Sequence, residues 1–284
     1  MFDIWSNDEK IVDEVYGRAN YKVVLNPNST ENTCVIYFSS NNIWYPNEKR
    51  AFVHSFIDND YYEWEKYRHK KAKKTIFVRD IYKSWYVKGI NSKVDSVDKL
   101  MTLLRIETEG MEVITVGSSA GGYMACLCGA ELNAKYVLCF AAQFNLRTKY
   151  SLEVNPYLKK YEKDMGRSKY YNIVSNIEKS DTTVYYFLPF YCRADSEQLA
   201  IVQNLSNVKS LKMLSRRHGV PIFKCNLSEL LCMSNEELAK LFDDYDEKVN
   251  SPLLFSIKVS GFRKTVQYIF NKCVKLIKSR IRRN

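Results

Sequence analysis

The stretch Ile114-Thr115-Val116-Gly117-Ser118-Ser119-Ala120-Gly121-Gly122-Tyr123 decides how the rest of the chain is read. The residues leading into it, Met111 to Val116, are largely apolar and β-branched, as a central strand of a parallel sheet should be. The residues that follow, Tyr123 to Leu132, are mostly small and apolar, which suits a helix pressed tightly on a sheet. Between them Gly117, Ser119 and Gly121 form a G-x-S-x-G pattern. At a strand–turn–helix junction of this kind the serine sits at the tip of a sharp, strained turn. The glycines let neighbouring backbone approach, and the hydroxyl projects from the top of the sheet. Ser119 is therefore the candidate nucleophile and Ser118 only its neighbour. Two plainer readings compete. One is a Gly-Ser turn that merely joins two elements; the other is a phosphate-cradling loop, whose Lys-Ser/Thr ending is absent here.

Outward from this turn, apolar runs at Thr33–Phe38, Thr75–Val78, Tyr136–Ala141, Val184–Leu188 and Val208–Leu214 read as further strands. Helices are expected over about Ser96–Arg105, Ser196–Leu205 and within Asn226–Phe242, where Asn226 and Asn235 are candidate caps. Glu9–Tyr16 and Tyr21–Leu25 flank a turn and suggest an N-terminal hairpin, and Ala51–Arg68 reads as a loop and then a helix. Strands alternating with helices predict an α/β fold, with a mainly parallel sheet covered by helices on both faces. Asn145–Ser180 interrupts that rhythm and reads as an insertion over the sheet edge. The expected organisation is one domain over residues 1–256, inserted at about 145–180, followed by a distinct segment, 257–284.

At 284 residues and 46% hydrophobic content the chain can bury a large core. It shows no export signal and no run apolar enough to span a bilayer, so a cytoplasmic protein is expected. The eight cysteines sit mostly in apolar segments and read as reduced packing residues. Cys126 and Cys128 have poor spacing for zinc, and neither a metal nor a cofactor is expected. The net charge of +11 points to an anionic surface or substrate.

A serine hydroxyl is a poor nucleophile until a base takes its proton, and the base needs an acid to fix its tautomer. Of three histidines, His54 follows no strand end and His69 stands in a charged run, Arg68-His69-Lys70-Lys71, that reads as solvated surface. His218 follows a strand late in the chain, where a base can reach over the sheet edge. Asp195 follows the preceding strand and is the candidate acid. It competes with a helix N-cap role, and Glu197 is the fallback acid. The chain order Ser119, Asp195, His218 is that of α/β-hydrolases.

On the Gly117-Ser118-Ser119-Ala120-Gly121 turn, Asp195 and His218-Gly219, the chain resembles the α/β-hydrolase superfamily of serine enzymes over roughly Thr33 to Phe242. Through the FVRD-x4-WY-x2-G stretch from Phe77 to Gly89, and GSSAGGY itself, it is loosely similar to hydrolase-like proteins of bacterial surface-polysaccharide and glycan-export clusters. The resemblance implies an oxyanion hole built from the Ala120 N–H and an N–H of the loop Ser39-Ser40-Asn41-Asn42. Ser40 is the first choice there, with Ser39 and Asn41 close behind. It implies a serine esterase or acyltransferase acting on an acylated glycan or small ester. The alternative is an inactive hydrolase-fold scaffold of a membrane-associated glycan-assembly system. Arg79, Asp80, Trp85 and Tyr86 either line the pocket or belong to the core.

The end of the chain is different. From Ile257 onward it carries lysines and arginines and no acid, while Phe262, Val266, Ile269, Phe270, Cys273, Ile277 and Ile281 recur at spacings of three and four. A basic amphipathic helix reads as an element for an anionic membrane surface, here the inner face, or as a terminal helix docked on the domain. Nucleic acid is not an expected partner, because the other basic residues form no recognisable binding motif.

Overall fold

The computed structural model describes residues 2–4, 10–148, 156–246 and 248–281. In chain order it runs α1 (Lys10–Tyr16), β1 (Tyr21–Leu25), β2 (Glu31–Phe38), α2 (Lys49–Val53), β3 (Ala72–Val78), α3 (Val97–Glu107), β4 (Glu112–Ser118), α4 (Ala120–Glu131) and β5 (Tyr136–Phe140). It continues with α5 (Pro156–Tyr161), α6 (Met165–Ser168), α7 (Val174–Glu178), β6 (Thr183–Pro189), α8 (Arg193–Val202) and β7 (Val208–Met213). Last come α9 (Leu227–Leu230), α10 (Asn235–Asp244), β8 (Val249–Asn250), α11 (Pro252–Ser260) and α12 (Phe262–Ile281). The strands form one eight-stranded sheet in the order β1-β3-β2-β4-β5-β6-β7-β8. β1 is antiparallel to β3, and every other neighbouring pair is parallel. This is the α/β-hydrolase-like arrangement that the sequence predicts.

Burial on both faces explains why the central strands carry almost no polar residues. Alternate side chains of β2 divide between the two faces: Cys34, Ile36 and Phe38 pack with α3 and α4, while Val35 and Tyr37 pack on the opposite side. On that opposite side Tyr185 and Phe187 of β6 meet Phe242 and Phe255. α4 is buried from Ala120 through Gly129, so it needs no polar face. The insertion carries α5, α6 and α7 and is tied to α4 by the Tyr123 hydroxyl, which donates to the Tyr170 carbonyl at 2.7 Å. Tyr150 of this segment lies outside the described residues.

Several local expectations are corrected. Lys10–Tyr16 is a helix rather than a strand, because Val12 and Val15, one turn apart, are the buried pair. Glu9 lies outside the described residues. Tyr21–Leu25 is a strand, but its partner is β3, with Tyr21 opposite Val78. In 51–68 the order is reversed: helix α2 runs into a π-turn at His54–Asp58, and an irregular segment follows. The cap of α10 is Ser234, which forms a capping box with Glu237, one residue before the predicted Asn235. Asn226 does not cap with its side chain; its Nδ2 donates to Ser260 Oγ at 3.0 Å. The helix expected from residue 257 onward is interrupted at Gly261, whose φ is 82°: residues 257–260 end α11, and α12 starts at Phe262.

Arg79 and Asp80, at the end of β3, brace the core. Arg79 lies between the rings of Phe56 and Tyr62, 5.0 and 4.2 Å from their centres, and pairs with Asp60 at 2.8 Å. Asp80 accepts the N–H groups of Tyr82 (3.1 Å), Ser84 (2.6 Å) and Tyr86 (2.9 Å), and the Ser84 hydroxyl. It thereby holds a turn in which Lys83, Trp85 and Tyr86 all have positive φ. Burial raises its pKa to about 6, against the pull of those donors. Asp80→Asn removes one acceptor oxygen and turns an N–H2 toward buried N–H groups. It is expected to lower stability by about 1–3 kcal/mol, read as a fall in unfolding midpoint in urea. An unchanged midpoint would show that the turn does not depend on this carboxylate.

Candidate functional site

The carboxyl ends of the parallel strands lie along one edge of the sheet, where open α/β sheets place their sites. Ser119 leaves β4 with φ 55° and ψ −123°. Such backbone is sparsely populated by residues other than glycine and costs about 1–3 kcal/mol where the surroundings enforce it. The Ser119 N–H donates to the Phe140 carbonyl at 2.9 Å, and its own carbonyl accepts from Tyr123 N–H at 3.0 Å. Two glycines make the turn possible. A β-carbon on Gly117 would lie 2.1 Å from the Gly121 oxygen, and one on Gly121 would lie 2.3 Å from the Phe38 oxygen. β2, β4 and α4 thus meet backbone to backbone, and Ser119 is held at their junction.

Asp195 lies in the first turn of α8 and is fully buried. Its oxygens are 2.9 and 3.0 Å from His218 Nδ1, and His218 Nε2 is 2.7 Å from Ser119 Oγ. A carboxylate only accepts, so Nδ1 carries the proton and Nε2 presents its lone pair to the serine hydroxyl. The structure therefore brings together the three residues chosen from the sequence. Asp195 is not an N-cap: that position belongs to Cys192, whose carbonyl accepts from Asp195 N–H at 3.1 Å. The fallback acid Glu197 is exposed and pairs with Arg193 at 2.8 Å. His54 lies on the surface near Asp58. His69, read from sequence as solvated, is buried. Its Nδ1 accepts from the N–H groups of Lys71 and Ala72, and burial lowers its pKa. A hydroxyl on an imidazole backed by a buried carboxylate can lose its proton as it attacks an electrophilic carbon, with the imidazolium held by the acid.

Ala120 opens α4, so its N–H belongs to the first-turn donors that a helix leaves without an internal partner. The Ser40 N–H, the first choice for the second donor, is engaged. It donates to Glu63 Oε2 at 2.6 Å, and the Ser40 hydroxyl to Glu63 Oε1 at 3.2 Å. The Ser39 N–H is engaged by the Val78 carbonyl at 3.0 Å. Burial raises the Glu63 pKa, opposed by the two Ser40 hydrogen bonds and the Lys224 charge. Sequence reasoning missed Glu63, which stands among aromatic and charged residues with no motif around it. It also missed Cys192, whose sulfur lies within 4.8 Å of the Asp195 and His218 ligand atoms. Among the described residues, Cys192, Asp195 and His218 form a group whose ligand atoms are close enough together to hold a metal ion. The hydrogen bond between the last two already accounts for their proximity. The Cys192 thiol pKa is pushed up by burial and by its hydrogen bond with Asp195.

No protein-family model and no curated protein matches the chain. Among solved structures it is similar to the capsule O-acetyltransferase of Neisseria meningitidis serogroup A, with 16% identity, a TM-score of 0.47, and coverage of 80% of this chain and 90% of that one. It is also similar to MenH from S. aureus, with 11% identity, a TM-score of 0.41, and coverage of 80% and 97%. A third is Mycobacterium tuberculosis MPT51, with 11% identity, a TM-score of 0.44, and coverage of 67% and 83%.

Gly121→Ala should separate α4 from β2, because the new methyl meets backbone oxygens rather than a side chain that can turn away. The expected loss is about 1–3 kcal/mol despite alanine's better helix propensity. A variant as stable as the parent in thermal unfolding would contradict this account of the turn.

Proposed function

We propose that this chain is a serine esterase or acyltransferase working through an acyl-serine. The observation that carries the reading is the continuous hydrogen-bond chain from Ser119 Oγ through His218 to Asp195. His218 Nε2 takes the Ser119 proton as Oγ attacks the acyl carbonyl. Asp195 holds the imidazole and balances its charge. The Ala120 N–H, at the positive end of α4, stabilises the oxyanion. Collapse of the tetrahedral intermediate breaks the bond to the leaving group, which takes the proton from His218. A second hydroxyl, from water or a sugar, then gives its proton to His218 and receives the acyl group. Water completes an esterase cycle; a sugar hydroxyl completes a transferase cycle. The Phe77–Gly89 and GSSAGGY resemblance favours an acylated glycan as substrate. A scaffold without turnover would have no use for a strained Ser119 held on His218.

Ser119→Ala is expected to abolish turnover of a p-nitrophenyl ester while leaving thermal unfolding nearly unchanged. His218→Ala and Asp195→Ala should each lower turnover by about a thousandfold or more. The double variant should be little worse than the worse single one, because the groups act as a unit. Losses that multiply would mean the two do not form one relay.

The same reading places the protein at the inner face of a membrane through α12. No helix among the described residues is long and apolar enough to cross one. α12 docks through Thr265 and Tyr268, the latter stacked on Phe223 with ring centres 5.5 Å apart. Phe262, Val266, Phe270, Cys273 and Ile277 are exposed instead, and at 3.6 residues per turn they fall within about 80° of arc. Ile269 is half-buried toward the docked side, while the Ile281 side chain lies outside the described residues. Lys258, Arg263, Lys272, Lys275 and Lys278 are exposed, and Arg282 and Arg283 lie outside the described residues. An exposed apolar arc flanked around the helix by cations, in a segment with no acids, would be repelled by a second copy of itself but complements anionic lipid, at about 1 kcal/mol per basic residue near the surface. Phe270→Asp combined with Ile277→Asp is therefore expected to release the protein from phosphatidylserine vesicles without loss of esterase turnover. Added salt should weaken binding of the parent. Equal co-sedimentation of parent and variant would refute the anchor.

A further inference from the structure

We propose that the Glu63 carboxylate is a gate on the acyl-oxygen site: in the resting protein it occupies the Ser40 N–H, and an incoming acyl group has to displace it. The proposal rests on the reading of Ser119 as nucleophile. β2 and β4 pair in parallel up to Phe38 opposite Gly117, so Ser40 and Ser119 each follow by two residues and lie at the same carboxyl edge of neighbouring strands. The first turn of α4 packs against this segment, since a β-carbon on Gly121 would lie 2.8 Å from the Ser39 oxygen. The Ser39 N–H turns toward β3, donating to the Val78 carbonyl, so the next N–H, that of Ser40, faces the other way, on the side of β2 where β4 lies; its present acceptor is Glu63 at 2.6 Å.

A carboxylate at this donor resembles the acid that hydrolysis of an acyl-serine releases. It also resembles the oxyanion in needing N–H donors. Two negative groups cannot share the site without strong repulsion, so Glu63 and the oxyanion exclude each other. The backbone around Glu63 is anchored. Tyr62 and Trp64 on either side are buried, and Trp64 Nε1–H donates to the Phe38 carbonyl at 3.1 Å. Asp60 and Trp64 are held at φ 42° and 79°. The gate is therefore a rotation of one side chain, not the opening of a loop. It admits acyl groups whose other contacts outweigh the hydrogen bond to Ser40, and it excludes small free carboxylates, which aids product release.

The test uses the full chain and a fluorophosphonate probe, which needs no knowledge of the natural substrate. Ser119 Oγ forms a bond to phosphorus, the P–F bond breaks, fluoride leaves and His218 takes the serine proton. The phosphonyl oxygen requires the same donors as the oxyanion. Glu63→Ala should raise the second-order rate constant of labelling by about tenfold or more, the worth of a charge-assisted hydrogen bond. Glu63→Gln should raise it less, because an amide oxygen still accepts the N–H but without charge. Acetate should protect Glu63→Ala from labelling at lower concentration than it protects the parent, a change that a merely structural role would not produce. Should the alanine variant fail to fold, the nearly isosteric Glu63→Gln decides. Labelling at the parent rate or slower, with unchanged thermal unfolding, overturns the gate while leaving the serine mechanism standing. Absence of labelling at Ser119 in every form overturns both.

Discussion

The contact on which the site depends is the approach of the α4 backbone to the end of β2, where Gly121 leaves no room for a β-carbon beside the Phe38 carbonyl. That closeness makes Ser119 turn sharply, and the turn aims its hydroxyl out of the sheet. The strain at Ser119 is tolerable because the surrounding elements are buried: β4 from Val113 to Ser118, α4 from Ala120 through Gly129, and β5 throughout. A loosely packed sheet would relax the turn, and the hydroxyl would lose its direction.

Asp195 and His218 reach the same point from two later strand ends. Asp195 is buried, and His218 bridges from it to the partly exposed serine. The site thus has a buried acid, an imidazole at the surface and a hydroxyl at its mouth. A second carboxylate, Glu63, holds the Ser40 N–H at the same edge of the sheet.

The parallel sheet and the convergence of Ser119, Asp195 and His218 were legible because each depends on a local signal. These signals are an apolar β-branched run, small residues at a turn, and a polar residue just after a strand end. Residues whose neighbours come from afar were less legible. Glu63 meets Ser40 only because Trp64 anchors the chain against β2, and no local pattern encodes that contact. His69 reads as surface because its sequence neighbours are charged, yet its ring is buried and accepts the N–H groups of Lys71 and Ala72. Lys10–Tyr16 reads as a strand from sequence for a related reason. A short helix with one buried pair gives the same few apolar residues as a short strand, and only packing distinguishes them. Trp85 and Tyr86 were ambiguous between pocket and core. Trp85 Nε1–H donates to Gln143 Oε1 at 3.1 Å, and the Tyr86 hydroxyl donates to the Ser39 carbonyl at 2.9 Å, so both brace the loops behind the site.

The central claim is that an acyl group resides on Ser119 during turnover. The most direct measurement is acid quenching of the protein during reaction with p-nitrophenyl acetate, followed by peptide mass mapping. The account predicts one acetyl group on the peptide containing Ser119, accumulating within the first turnover and missing from Ser119→Ala. Acetyl groups scattered over lysines, equally abundant in Ser119→Ala, would contradict it.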